Sequence, residues 1–452
     1  MYFLDLHGNS KKKETAPDGS KDENVFDIMQ GVVISIFVKI RKLYSSNTCY
    51  ADVFGCRKDK YHELYLRRVS DLNWKAIDSR NPLYLYTSEF HQDFDNYSRF
   101  MSTKDAFLVS NTGVKTHRDH FAIGFQQKEI IDRVITLRDS TINDKRIYEI
   151  YHLTDTRDWR LTEARNRICA LTNPYEKITT IDYRPFDTRY TYYDSCFIEL
   201  IKHDVFQHMF QANISIVCTR QTSLSQYKHC FVSDRVSETC FISNKTKETA
   251  YIFPMWLYNN VEFLGAKHTE KKPNIKPEVF AMLKARYATQ NTKEISPEAF
   301  MGYIYAVLHS PTYREKYKDF LKTDFPRIPF CDDYRVFEQM SALGWELINA
   351  HLMKSEDLKQ RYPDLGTYTG IGSNEVSKLY YTDSLQRLHI NDTQYFDSIP
   401  EPVYMFHIGG YQVLHKYLKD RKGRELTLDE INNVEFIAKI LAFTMDTMQR
   451  ID

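Results

Sequence analysis

A mixed α+β chain of two or three domains is predicted, on three observations. Short apolar runs rich in β-branched and aromatic residues recur through the first part of the chain, broken by polar turns and by segments of helical period. From about Lys276 the period becomes helical and stays so, which separates a strand-rich centre from a helical end. The length, 452 residues, exceeds one ordinary hydrophobic core. A hydrophobic fraction of 42% with 27% charged residues suits a globular protein.

The first element is Tyr2-Phe3-Leu4-Asp5-Leu6, a buried strand with no helix or strand before it. A polar loop follows from Gly8 to Asn24 and carries Lys11, Lys12 and Lys13. Val32 to Lys39 is a nearly continuous apolar run, the pattern of a strand covered on both faces. Cys49 to Cys56 reads as another strand and Lys58 to Arg68 as a short helix. Strands without preceding partners are expected at the tail end of a larger α/β domain.

Leu72 to Phe100 reads as a connector. Phe107 to Ser110 then leads into Asn111-Thr112-Gly113-Val114-Lys115-Thr116-His117-Arg118-Asp119, a glycine turn bearing cations and hydroxyls. Such a turn can present backbone N–H groups, Lys115 and Arg118 to an anion, and equally suits a solvated loop. Lys128 to Arg138 and Asp155 to Thr172 have helical period.

The centre of the chain is Thr179 to Asp194, where two arginines, three acids and five aromatics surround one proline. Its composition predicts strands on both sides of a turn at Arg184-Pro185, with Arg184 biased to an extended backbone by the following proline. Alternation places Arg189 and Thr191 on one face and Tyr190 and Tyr192 on the other. A planar guanidinium beside an aromatic row is equipped to read guanine edges or grip phosphate. The same residues also suit an Arg–Asp pair satisfied inside the fold, with the rings as core.

Glu199 to Ala212 has helical period, and Ile214 to Arg220 reads as a strand ending in Arg220-Gln221. Both side chains can make bidentate contacts to a base edge, and both suit a solvated strand end. His229 to Ser233, Thr239 to Ser243 and Thr249 to Phe253 read as further strands. In the helical part, Ser296-Pro297 and Ser310-Pro311 each place an N-cap before a proline at the first helical position. Val336 to Met353 is a further helix. The last helix starts at the capping box Thr427-Leu428-Asp429-Glu430, stapled by Leu426 and Ile431. Ile431, Val434, Ile437 and Leu441 form its apolar stripe.

A formal charge of +1 excludes a globally basic nucleic-acid binder, so any such contact must come from local patches. Aromatics at 14% favour wide, half-wet contact surfaces. The eight cysteines include no CxxC pair and fit structural thiols in a reducing compartment. No stretch approaches the roughly eighteen apolar residues of a spanning helix, and the start lacks a signal-peptide pattern. These features predict a cytoplasmic protein with no membrane partner.

Catalytic machinery is not visible. Asn81-Pro82-Leu83-Tyr84 and Asn173-Pro174-Tyr175 are the strings nearest to a base-clamping Asn-Pro-Pro-Tyr, but neither follows a convincing strand. Gly370-Ile371-Gly372 reads as a hairpin turn, not a cofactor loop. His117 and His120 have no third ligand nearby, which sets a metal site aside. No Walker lysine or GxSxG motif occurs.

Several strings, in order, resemble the C-terminal region of type ISP restriction–modification enzymes. They are Leu4 to Asn9, Asp22 to Ile28 with Gln30 to Val32, Gly113 to Thr116, and Asp182-Tyr183-Arg184-Pro185-Phe186-Asp187-Thr188-Arg189-Tyr190. Tyr251 to Pro254, Tyr303 to Ser310, Asp324 to Pro329, Phe406 to Tyr411 and Lys419 to Arg424 continue the series. Those enzymes combine nuclease, helicase-like ATPase, adenine-N6 methyltransferase and target-recognition domains in one polypeptide. The family carries its cofactor loop and base clamp ahead of the strand matching Tyr2 to Leu6, and the chain departs from it there.

The resemblance implies three parts: the truncated edge of a methyltransferase-type sheet over 1–75, a target-recognition domain over 76–270, and a helical C-terminal part over 271–452. It implies sequence-specific recognition of double-stranded DNA, with the reacting groups on upstream methyltransferase, helicase and nuclease segments. S-adenosylmethionine would serve the complete enzyme, with no cofactor held by this chain. On residue chemistry, Arg184, Arg189, Tyr190, Arg220 and Gln221 are the expected DNA-reading side chains. Lys11, Lys12, Lys13, Lys115 and Arg118 are the expected phosphate contacts. Two alternatives stand beside this: an adenine-N6 methyltransferase completed by an upstream half, and a protein-docking remnant.

Overall fold

The apolar run at the start of the chain does not become the covered strand that its composition predicts. In the computed structural model, which describes residues 1–10, 14–39, 47–77, 93–245, 248–263 and 266–452, Val33–Ile36 is the edge of a four-stranded sheet. The strand order is Val33–Ile36, Tyr2–Asp5, Thr48–Asp52, Lys75–Ile77, and only the central pair is parallel. Val33 and Ile34, with Phe37 and Val38 just beyond, stand exposed. A continuous apolar run signals burial on both faces only where something packs on each, and among the described residues Val33 and Ile34, on opposite faces of the strand, both stay exposed.

This sheet belongs to the first of two compact units, Met1–Phe100 and Met101–Asp452. Leu4, Leu6, Val25, Ala51 and Val53 form its core. The expected helix appears as Arg57–Leu66, and its Lys60 is fully buried. The ammonium donates to the carbonyls of Leu6 at 2.6 Å and Glu23 at 2.7 Å and pairs with Asp22 at 2.8 Å. A buried ammonium persists only when its hydrogen bonds are satisfied, so Lys60 ties the strings around Leu6 and Asp22 together. Within the expected connector, the described residues form the strand Lys75–Ile77 and the helix Phe94–Arg99.

The second unit is mixed α+β. One antiparallel sheet runs Cys230–Ser233, Ser215–Thr219, Ala250–Pro254, Asn111–Thr112. A second runs Val236–Ser237, Ile178–Arg184, Asp187–Tyr192, Ile123–Gly124. Trp256–Phe263 and Ala266–Pro273 pair as a two-stranded arm. The predicted helix over Lys128 to Arg138 forms as Gln127–Arg138, whereas Glu199 to Ala212 supplies only the turn His203–Phe206. Thr239 to Ser243 forms no strand, and pairing falls instead on Val236–Ser237.

The helical end is built on Pro297–His309 crossing Tyr334–His351, flanked by Leu428–Ile451. The crossing is close because Gly302 and Gly344 face it: a Cβ on Gly302 would run into the Ser341 carbonyl, and one on Gly344 into the Gly302 carbonyl. Ser296 and Ser310 cap their helices as expected, accepting from the N–H groups of Ala299 and Tyr313. The capping box at Thr427 is also present. A small sheet, Tyr368–Thr369, Tyr395–Phe396, Arg387–His389, Tyr380–Thr382, is inserted in this region and was not predicted. Among the described residues no helix is long and apolar enough to cross a membrane.

Candidate nucleic-acid interface

The hairpin Ile178–Arg184 and Asp187–Tyr192 turns at Pro185-Phe186, with Arg184 paired to Asp187. Proline presets the first turn position, but the second needs a positive φ, which usually selects glycine. Phe186 takes it at φ 62°. That conformation costs roughly 1–2 kcal/mol, and burial of the ring offsets it: Phe186 packs edge-on against Phe231 at 5.0 Å and His351 at 6.0 Å.

Alternation along the second strand holds as predicted, with the arginine face turned inward. Arg184 is 7% exposed and Arg189 is 9% exposed. Arg184 donates to Glu238 Oε2 at 2.8 Å, lies 3.7 Å over the Tyr183 ring, and has Asp119 at 3.9 Å. Burial, reinforced by the Asp119 charge, pushes the Glu238 carboxyl up to about 7 against the pull of Arg184. Arg189 donates twice to Asp187 Oδ2, at 3.0 and 2.7 Å, and reaches Asp420 at 3.3 Å. Arg421 takes the other oxygen of Asp187 at 2.8 Å and also holds Glu430 at 2.8 Å. Burial alone would raise the Asp187 carboxyl, but Arg421 and Arg189 outweigh it and hold it below its ordinary range.

Strings far apart in sequence therefore meet at this hairpin. Gly113-Val114 pairs with the chain at Ser237 and Thr239, and a Cβ on Gly113 would lie 2.7 Å from the Glu238 carbonyl. Asp119 accepts from the Tyr183 hydroxyl at 2.9 Å. Tyr411 donates to the Cys240 carbonyl at 2.8 Å, and Asp420 and Arg421 close the far side. The buried Arg–Asp pairing with rings as core, which these residues also suited, is what the fold adopts at Arg189–Asp187, and Arg184 pairs with Glu238 instead of an aspartate of its own strand. Glu238 and Phe125, which lie outside every string, carried no signal of their own.

The other expected contacts divide. Arg118 is 4% exposed, donates to Glu199 at 2.8 Å and stacks on Trp159 at 3.9 Å. His117 faces Glu199 at 3.1 Å, and His120 reaches the Tyr151 carbonyl at 2.9 Å. The Arg220 side chain is 55% exposed, with a single surface pair to Asp324 at 2.9 Å. Gln221 is half-buried and donates to the Thr323 carbonyl at 3.2 Å. Lys115 is half-buried, its main chain pairing with Leu200. Tyr190 is half-buried on the second strand of the hairpin. Lys11, Lys12 and Lys13, like Asn81 to Tyr84, lie outside the described residues.

Arg220-Gln221 and Lys115 leave one sheet at the same end. Thr219 pairs with Ala250, Tyr251 with Thr112, and Gly113 donates to the Ala250 carbonyl at 3.0 Å. The chain positions after Thr219 and Thr112 are thus two strand spacings apart, roughly 10 Å. The site divides into a buried, ion-paired node and a sheet end where Arg220 is exposed and Lys115 and Gln221 are half-buried.

A family model, the Type ISP C-terminal specificity domain, matches residues 105–450. The chain belongs to that family. Its fold is shared, over 100% of the chain, with three solved structures. The ATP-dependent Type ISP restriction–modification enzyme LlaBIII bound to DNA is 20% identical with a TM-score of 0.67, and 30% of that chain is covered. The cryoEM DrdV–DNA complex is 18% identical with a TM-score of 0.68, covering 47% of that chain. A nuclease-deletion mutant of the Type ISP enzyme LlaGI with a DNA substrate mimic is 19% identical with a TM-score of 0.63, covering 36%. The chain thus spans less than half the length of these proteins. No curated protein matches the chain.

Proposed function

We propose that this chain selects a DNA target sequence, as the specificity portion of a longer Type ISP restriction–modification system acting in the cytoplasm. The observation that carries this reading is the family match over residues 105–450. The likeness of the whole chain to structures solved with DNA adds support. Arg220 and Gln221 are the side chains best placed to read base edges, since an exposed pair such as Arg220–Asp324 is worth only about 0–1 kcal/mol and is cheaply exchanged for DNA. Lys115, with Lys11, Lys12 and Lys13, would take phosphates and set the register. Arg184, Arg189 and Arg118 would act by holding the frame that presents these groups.

The bare apolar edge at Val33, Ile34, Phe37 and Val38 supports a second element of the reading. Exposed apolar runs of this kind mark interaction surfaces, and upstream methyltransferase segments of the same system are the partner that fits. Methylation of adenine N6 with S-adenosylmethionine would then belong to the assembled protein, not to this chain alone. Selection of bound duplexes from a random pool tests the function. Enrichment of one motif, with affinity falling steeply as salt rises, is expected. Retention of no duplex, even at low salt, would point to protein docking instead.

A further inference from the structure

Three guanidinium groups surround the Phe125 ring: Arg424 at 3.9 Å, Arg189 at 4.0 Å and Arg421 at 5.3 Å. Arg189 and Arg421 are each held by two carboxylates among Asp187, Asp420 and Glu430. Arg424, with its side chain 32% exposed, shares Glu430. Its Nη2 reaches Glu430 at 3.4 Å, while its Nη1 is buried with no hydrogen-bond partner among the described residues. An unpaired buried donor works against folding, and a bound anion would satisfy it.

Arg424 lines a half-open cavity of about 340 Å³. Its walls include the rings of Phe125, Tyr190 and Tyr417 and the exposed amides of Gln126 and Gln127. This is far more room than one phosphate needs, and it lies at the lower end of the range for small-molecule sites, about 300–1,000 Å³. Lys416 also pairs with Asp420 at 2.6 Å. Four cations (Arg189, Arg421, Arg424 and Lys416) therefore share three carboxylates (Asp187, Asp420 and Glu430), an excess of one positive charge.

We propose that this cavity binds one nucleotide unit, its phosphate paired with Arg424 and its ring against the aromatic wall. The nucleotide can come from solution or from an unstacked position in a DNA strand. The site is separate from the Arg220 sheet end and does not require that end to read sequence.

Calorimetry on the full chain with dAMP and with inorganic phosphate, alongside duplex affinity, tests it. Arg424→Gln should weaken binding by about tenfold or more, the size of a charge-assisted hydrogen bond, with little change in melting temperature. Gln127→Glu, at an exposed position, should repel the phosphate without disturbing the fold and serves if Arg424→Gln is unstable. Loss of dAMP binding in these variants, with phosphate alone binding more weakly than dAMP, supports a soluble nucleotide. Weakened duplex binding without any dAMP binding supports a nucleotide of the DNA strand. Unchanged duplex affinity in both variants, with no dAMP binding or with dAMP binding that ignores them, overturns the proposal. Arg220→Ala should leave dAMP binding unchanged, which keeps this result apart from target selection.

Discussion

Arg184 and Arg189 on the hairpin and Arg220 at the end of Ser215–Thr219 look alike in sequence, each a guanidinium in or beside a β-branched, aromatic strand. In the fold they part. The first two are enclosed by Glu238, Asp187, Asp420 and the rings of Tyr183 and Phe125, whereas Arg220 keeps one surface carboxylate and open solvent. An arginine's role follows from the counter-charges within its reach, not from its local sequence. Buried, it clamps elements together. At the surface, it is available to a polyanion.

The largest effect that would break this contrast is on stability. Asp187→Ala removes the carboxylate shared by Arg189 and Arg421 and leaves two buried guanidinium groups under-paired, which should cost about 3–5 kcal/mol in chemical denaturation. A loss below about 1 kcal/mol, the size of a surface pair, would place these arginines in solvent. Next in size, Arg220→Ala should change folding stability by no more than about 0.5 kcal/mol. It should cost about 1–3 kcal/mol in duplex affinity and relax one base position. A loss uniform across sequences would make Arg220 a phosphate contact.

Smaller effects should appear in the pH profile, with opposite signs at the two buried carboxylates. Asp187 is held below its ordinary range, so its share of stability is present above the unfolded pKa near 3.9 and is lost as pH falls below it. Glu238 is pushed up to about 7 from 4.5, so between those values the folded state holds a proton that the unfolded state has released. Its share is present below 4.5 and is lost as pH rises toward 7. Melting temperatures across this range should therefore decline at both ends. Glu238→Gln should flatten the neutral side alone, and a decline there that persists in the variant would assign it to another group.

Local signals were legible where local physics decides. The caps at Ser296, Ser310 and Thr427, the buried stripe of the last helix and the turn at Pro185 followed from neighbouring residues. Glu199 to Ala212 has helical period, yet Val205 and Phe206 are buried beside a single turn, so tertiary packing overrode period there. Residues 32 to 39 misled because apolarity does not say whether a covering layer is present. The strings that carried the family resemblance named most members of the node. Which charges pair across it depends on contacts between residues up to 234 positions apart, as for Asp187 and Arg421, and no window of sequence holds that information.

The most direct test is a selection of duplexes from a random pool by the wild-type chain and by Arg220→Ala, with bound fractions followed over a salt series. A single enriched motif, steep loss of binding with salt, and one degenerate base position in the variant are the predicted results. Identical motifs for both proteins, or retention without any preferred sequence, would contradict the assignment of target reading to the open end of the sheet.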